Sequence, residues 1–328
     1  MPPTSREFSN ANLNLFPLGL GCMGMSGMYG HADETKSIAT IHQAIDNGIT
    51  FIDTGDFYGM GHNELLIARA IHGRRQQVQL SVKFGALRGP DGSWLGFDSR
   101  PAAIKNFVAY SLTRLGTDYI DVYRPARLDP KVPIEDTMGA IAALVNAGYV
   151  RHIGLSEVGV DTIRRANAVH PIIDLQIEYS LMSRGPEEKI LPLLQELGIG
   201  LTAYGVLSRG LLGGSVPSHG KDYRGHLPRF SADNLTRNTQ LVRALRALAA
   251  AKNVTATQLA IAWVLSKGEN ILPIPGCRTP AQLREALGAL TIDLSPNDVA
   301  QIEKAVPHTA VAGKRYDSMG MRALDSER

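Results

Sequence analysis

The chain has 328 residues, 44% hydrophobic and 20% charged, with a formal net charge of +3, which describes a soluble globular protein with ample core. Its interspersed charges argue against a nucleic-acid-binding surface but leave room for a local anion pocket. A polar stretch over 1–14, no run of bilayer-spanning length and two cysteines, Cys22 and Cys277, without metal or disulfide spacing predict a cytoplasmic protein with reduced thiols, no metal and no membrane partner.

Apolar runs bounded by turn residues predict, in chain order, a strand over 16–21, a helix over 35–47, then strand 50–54 and helix 63–72. The alternation continues with strand 79–84, helix 101–115, strand 119–123, helix 134–147, strand 152–156, helix 160–169, strand 174–178 and helix 187–197. Strand 200–204 follows, then helices over 239–252 and 256–266, strand 271–275 and helix 280–290. Asn47-Gly48, Leu115-Gly116, Ala147-Gly148 and Leu197-Gly198 place glycine where helices should stop, because a left-handed C-cap costs glycine little.

Eight strands in strict alternation with helices predict the α/β class and a single (β/α)8 TIM barrel over 1–328, with a C-terminal extension after 304. Leu18 to Gly24 is glycine-rich but lacks the spacing of a dinucleotide-binding fingerprint, which disfavours an open doubly wound sheet. A long loop at about 213–238 interrupts the rhythm. At the C-terminal barrel face it would form a lid, and the plainer alternative is a surface insertion.

Sites in such barrels collect at the C-terminal strand ends. Asp53 ends the second strand, Tyr58 lies in the next loop and Lys83 ends the third strand. A lysine within an apolar strand needs a partner, and Asp53 is the natural one. The pair is expected to lower the pKa of Tyr58 and make it a general acid toward a carbonyl oxygen. The same residues also fit a structural Lys–Asp bridge with Tyr58 as packing.

The segments Phe51 to Gly59, Gly154-Leu-Ser-Glu157, Leu175 to Ser180, Ala203 to Gly210 and Pro273 to Pro280 resemble, in order and at family spacing, the signature regions of the aldo-keto reductases. The resemblance spans nearly the whole chain. It implies that Asp53, Tyr58 and Lys83 belong to a catalytic tetrad and that the cofactor is NADPH. It places Ser156, Glu157 and Gln176 at the nicotinamide carboxamide and Tyr204 against the nicotinamide ring. Gly21, Cys22 and Met23 of the first loop, Gly205, Leu207, Arg209 and Gly210 of the seventh, and Gly276, Arg278 and Thr279 of the eighth are likewise implied as cofactor contacts. Arg278 is the expected phosphate partner, since guanidinium binds phosphate bidentately. Gln282, Glu285 and Ala286 fall on the implied adenosine-binding helix, with Ala286 replacing a common asparagine.

The family's fourth catalytic residue is a histidine ending the fourth strand, where this chain reads Tyr123-Arg-Pro-Ala-Arg-Leu-Asp-Pro130 and Ala126 stands in its place. Part of the usual transition-state stabilisation must then be absent or supplied elsewhere. Arg124 is a candidate for the substrate or oxyanion, His62 for proton relay, and Trp94 for the pocket rim. Arg127 reads as structural, because that arginine and Asp129-Pro130 persist in members that keep the histidine. The Ala-Arg-x-Asp-Pro pattern resembles the pyridoxal reductase branch, which lacks the histidine yet reduces an aldehyde. The small-molecule carbonyl substrate is therefore either pyridoxal or a bulkier ketone metabolite or xenobiotic suited to an open pocket. A competing class is a noncatalytic nicotinamide-sensing subunit like the family's potassium-channel β-subunits. The oligomeric state is not specified by these patterns.

Overall fold

The structure, a computed structural model, describes residues 5–11, 13–217 and 222–328. Eight parallel strands form the central sheet: β1 Leu20–Gly21, β2 Phe51–Gly55, β3 Gln79–Phe84, β4 Ile120–Pro125, β5 Val150–Ser156, β6 Ile172–Glu178, β7 Gly200–Tyr204 and β8 Ile271–Pro273. They neighbour one another in sequence order. The sheet closes because Gly19 N donates to Pro273 O at 3.0 Å and Gly21 N to Pro275 O at 3.1 Å, with a parallel bridge between Gly21 and Gly276. Closure leaves no unpaired edge.

Helices over Glu34–Asp46, Pro101–Leu115, Ile134–Asn146, Val160–Val169, Ile190–Leu197, Ala256–Leu265 and Pro280–Leu287 lie between or after the strands. Their starts follow local chemistry. Thr255 and Gln258 form a reciprocal capping box, and Thr279 caps a helix whose first residue is Pro280. Apolar faces such as Ile41, Ala44 and Ile45 or Ile134, Met138 and Ile141 bury against the outward faces of the strands.

A hairpin of Arg6–Phe8 and Leu13–Leu15, absent from the predicted elements, closes the N-terminal end of the barrel. Phe8 and Leu15 pack there with Phe51, Val122, Ile173, Leu272 and Ile274. A side chain at Gly200 would run into the Phe8 ring, so that strand must begin with glycine to admit the plug. With its N-terminal end filled, the barrel opens only toward its C-terminal mouth.

Several boundaries differ from expectation. The first strand shrinks to two residues because Pro17 cannot donate to a ladder, and the last ends at Pro273. A second unpredicted hairpin, Ala86–Arg88 with Trp94–Phe97, follows β3 at the mouth. The helix expected from 187 begins at Ile190, behind a 3-10 turn at Gly185–Glu187. Much of the expected 213–238 loop is ordered, because a helix starts at Ala232 and runs to Ala251, its polar first turns hiding the periodicity. Within that interval Asp222 bridges Tyr29, while Arg224 donates to Asp222, Ser215 Oγ and the carbonyls of Arg209 and Val216. The loop is thereby tied to the first βα loop. Residues 218–221 of the predicted lid lie outside the described residues. Among the described residues no single helix is long and apolar enough to cross a membrane.

Candidate active site

Strand register brings the three expected acid–base residues to one place. Asp53 pairs with Ser81 and Gly55 with Lys83 across β2 and β3, so Asp53 and Lys83 both turn inward at the C-terminal end. Lys83 Nζ donates to Asp53 Oδ1 at 2.6 Å, while Asp53 Oδ2 accepts from Ser81 Oγ at 2.9 Å and Gln176 Nε2 at 2.7 Å. Both charged groups are buried, which only such pairing sustains. Burial disfavours the Lys83 ammonium and Asp53 holds it charged, with a net pKa below the usual lysine range.

Tyr58 opens the 3-10 turn Tyr58–Gly61 directly after β2 and is itself buried, with the Lys83 ammonium 5.0 Å from its ring centroid. Its pKa is not lowered as the sequence suggested. Burial and then the Asp53 charge raise it well above the phenol range, and the cation that opposes this is Arg127. Tyr58 therefore carries its proton throughout the neutral range.

Arg124, expected at the substrate or oxyanion, is committed to protein partners. It pairs in register with Lys83 across β3 and β4, and its guanidinium is fully buried. It donates to Asp174 Oδ2 at 2.9 Å and Ser81 Oγ at 3.0 Å, with Thr202 Oγ1 also donating to Asp174. Gly154 makes room for this pair, since a Cβ there would meet Asp174 Oδ1 at 2.5 Å and Arg124 Cζ at 3.1 Å. The alternation that turned Arg124 inward placed it within the polar layer supporting Asp53.

Ser156 and Gln176 are register partners on β5 and β6. The Ser156 hydroxyl is buried without a hydrogen-bond partner, an orphan that points to a ligand. Glu157, expected beside it at the cofactor, has its carboxylate engaged by protein groups. Its φ of 53° lies in the left-handed region, and its carboxylate is already filled. Oε1 accepts from Arg315 Nη1 and Glu178 N at 2.9 Å and from the Tyr204 hydroxyl at 2.7 Å, while Oε2 accepts from Arg315 Nη2 at 2.9 Å and Ser326 Oγ at 2.7 Å. Burial works to raise this carboxyl, but Arg315 and Arg127 hold it down at about 2. Glu157 is the anchor of the C-terminal tail.

That tail brings residues the sequence did not single out. Arg315 and Tyr316 return 158 positions after Glu157, following a helix at Pro296–Ala305, and no local pattern announces them. The Tyr316 hydroxyl lies 3.0 Å from that of Tyr204 and accepts from Arg127 Nη2 at 3.3 Å. Glu178, on β6, takes Arg229 Nη1 at 3.1 Å, Arg209 Nη2 at 3.3 Å and Ser183 Oγ at 2.6 Å. A cavity of about 1520 Å³ undercuts the tail beside 159–164 and 182–193, but Tyr58 and Lys83 do not line it, so it is separate from the acid–base site.

The remaining expected cofactor residues lie in the loops after β1, β7 and β8 and on the helix Pro280–Leu287. Cys22 is buried and its amide donates to Asp53 O at 3.0 Å, with Met23 opening the next turn. Gly205, Ser208, Arg209 and Gly210 all have positive φ between 48° and 90°, which folds the loop around Leu207 back on itself. Arg209 also faces the Tyr316 ring at 4.5 Å. Arg278 Nη1 donates to Tyr29 O at 3.1 Å and its amide to Gln282 Oε1 at 2.8 Å, near Gly276 and Thr279. Gln282 is exposed and Glu285 half-buried, whereas Ala286 is buried in the apolar core. Trp94 is exposed on the mouth hairpin, 5.8 Å edge-on from Phe57. His62 is committed elsewhere, to Ser26 Oγ at 2.9 Å and Glu34 at 2.7 Å, and does not stand in for the absent imidazole. Ala126 is buried beside the mouth, with its amide on Phe84 O.

A closed barrel is filled at one end and carries a buried Lys–Asp pair beside a buried tyrosine at the other, where the sites of such barrels collect. Residues 17–307 match the aldo/keto reductase family model, and the chain belongs to that family. It is 44% identical over 308 residues, 91% of this chain and 88% of the relative, to a Glycine max protein named "Probable aldo-keto reductase 1". Among solved structures it resembles a glycerol dehydrogenase from Gluconobacter oxydans (TM-score 0.84, 26% identity, covering 94% of this chain and 97% of that one). It also resembles an aldo/keto reductase from Klebsiella pneumoniae in complex with NADP and acetate (TM-score 0.75, 26% identity, 96% and 99%).

Proposed function

We propose that the protein is an NADPH-dependent reductase that converts an aldehyde or ketone to the alcohol, with Tyr58 as proton donor. The observation that carries this reading is the protonated Tyr58 beside the buried Lys83–Asp53 pair at the open end of the barrel. NADPH fits the surrounding residues. The orphaned Ser156 hydroxyl offers a buried hydrogen bond to a carboxamide, Tyr204 offers an aromatic face, and Arg209 and Arg278 offer guanidinium groups to phosphates. The complexes of the Klebsiella pneumoniae relatives with NADP and NADPH support the same cofactor.

When bound, NADPH supplies the hydride. Tyr58 holds a proton at its hydroxyl for the carbonyl oxygen, and its raised pKa keeps that proton in place until negative charge develops on the oxygen. Lys83, held by Asp53, keeps a positive charge against the Tyr58 ring and can offset the charge left on the phenol. Ser81, Gln176 and, through Ser81, Arg124 fix Asp53, so the pair has one orientation.

Substrates follow two branches, pyridoxal or a bulkier ketone, and the small Ala126 favours the wider pocket. A cofactor-sensing role without turnover would not need the acid–base set. Absorbance loss on mixing the protein with NADPH and a carbonyl panel, pyridoxal and dicarbonyls first, tests the reading. Tight NADPH binding with no turnover on any carbonyl would overturn it.

A further inference from the structure

Arg127 differs from the five ion-paired cations around the mouth. Lys83, Arg124, Arg209, Arg229 and Arg315 each have a carboxylate partner, whereas Arg127 has none within ion-pair distance among the described residues. Its Nη1 donates to Ala126 O at 2.6 Å and its Nη2 to the Tyr316 hydroxyl at 3.3 Å, both neutral acceptors. Those two bonds place one guanidinium between the backbone of Ala126 and the tail tyrosine that also touches Tyr204. The residue is half-buried, so it keeps a route to the mouth. Guanidinium has five N–H donors, and two bonds leave capacity for a planar anion.

Position and field both direct that capacity at the reacting group. Arg127 follows β4, next to Ala126, where no imidazole fills the space, while the expected phosphate-binding loops follow β7 and β8. Its charge also acts on the Tyr58 hydroxyl, as its opposing influence there shows. Glu157 acts on this guanidinium only from beyond ion-pair distance and is itself bound by Arg315, so an anion on the substrate can complement the cation directly.

We propose that Arg127 recognises a carboxylate on the substrate, so that the preferred compounds are carbonyls that also carry an acid group. This rests on the reductase reading above and adds the substrate's charge. Reduction of 4-carboxybenzaldehyde and of its neutral methyl ester by the full-length protein with NADPH gives a ratio of kcat/KM values. The wild type favours the acid, and Arg127→Gln lowers the acid-to-ester ratio by roughly 10- to 100-fold, the scale of a charged hydrogen bond. Arg127→Lys, which keeps the charge and loses the planar fork, recovers part of the ratio. A wild type that favours the ester, or a ratio that Arg127→Gln leaves unmoved, overturns the proposal while the reductase reading stands. A second readout does not depend on turnover: benzoate binding to the NADP+-loaded protein, measured by calorimetry, weakens in Arg127→Gln. Equal benzoate binding by folded wild type and variant overturns the proposal even where neither aldehyde is reduced, an outcome that counts separately against the reductase reading.

Discussion

Two buried charge networks meet at the mouth of the barrel and are built in opposite ways. The inner one joins Asp53, Ser81, Lys83, Arg124 and Asp174, all from parallel strands of the barrel, β2, β3, β4 and β6, whose register sets their spacing. The outer one joins Glu157 and Glu178 to Arg209, Arg229 and Arg315, which come from a loop, a 3-10 turn and the distant tail. Hydrogen bonds of the sheet hold the first in place even if a side chain is lost. The Arg315 half of the second exists only while the tail is docked, so its charges hold the architecture as much as the architecture holds them. Changes to the inner network should therefore appear in the chemistry, and changes to the outer one in stability and tail position.

The largest expected effect is on the inner side. Tyr58→Phe removes the proton donor and should lower kcat by roughly 10²- to 10⁴-fold while NADPH affinity, read by fluorescence titration, stays near wild type. Near-normal turnover would show that the acid lies elsewhere.

On the outer side, Arg315→Met leaves the Glu157 carboxylate buried without its bidentate partner and should cost about 3–5 kcal/mol in urea denaturation. Combining it with Glu157→Gln removes the stranded charge and should restore much of the loss. If the single variant is as stable as wild type, the outer network is not what docks the tail.

Asp56 supplies a pH-dependent test at the border of the inner network. Burial and then Glu64 push its carboxyl up to about 7, against the backbone hydrogen bonds from Gly85 N, at 3.3 Å, and Phe57. The folded state therefore binds this proton more tightly than the unfolded chain does. Its contribution to stability is full below the ordinary value of 3.8 and is lost as pH rises through about 7. Asp56→Asn should flatten that decline, so the variant gains on wild type at pH 8 and matches it near pH 4 in thermal melts.

The smallest effect belongs to the rim. Trp94 is 45% exposed, so Trp94→Ala should change stability by no more than about 0.5 kcal/mol. It should raise KM for aromatic carbonyls, and an unmoved KM would place the indole outside the pocket.

The strand and helix alternation, most element ends and the inward turn of Asp53 and Lys83 were legible in the sequence, because hydrophobic period and glycine or proline punctuation are local signals. The N-terminal plug was not legible, since Arg6–Phe8 and Leu13–Leu15 are too short to show a period and gain their meaning only beneath Gly200. Arg124 illustrates the limit of alternation. Its side of the strand could be read, but its depth in the barrel depends on Asp174 and Gly154 from other strands.

What the sequence determined by itself was the order of elements and the residue types at the strand ends, since both follow from periodicity and from the cost of burying charge. Tertiary structure alone decided which partner each charged group received. Glu157 is bound by Arg315, and Arg127 has no carboxylate within ion-pair distance among the described residues, because those pairings depend on where a tail more than 150 residues away returns to the barrel.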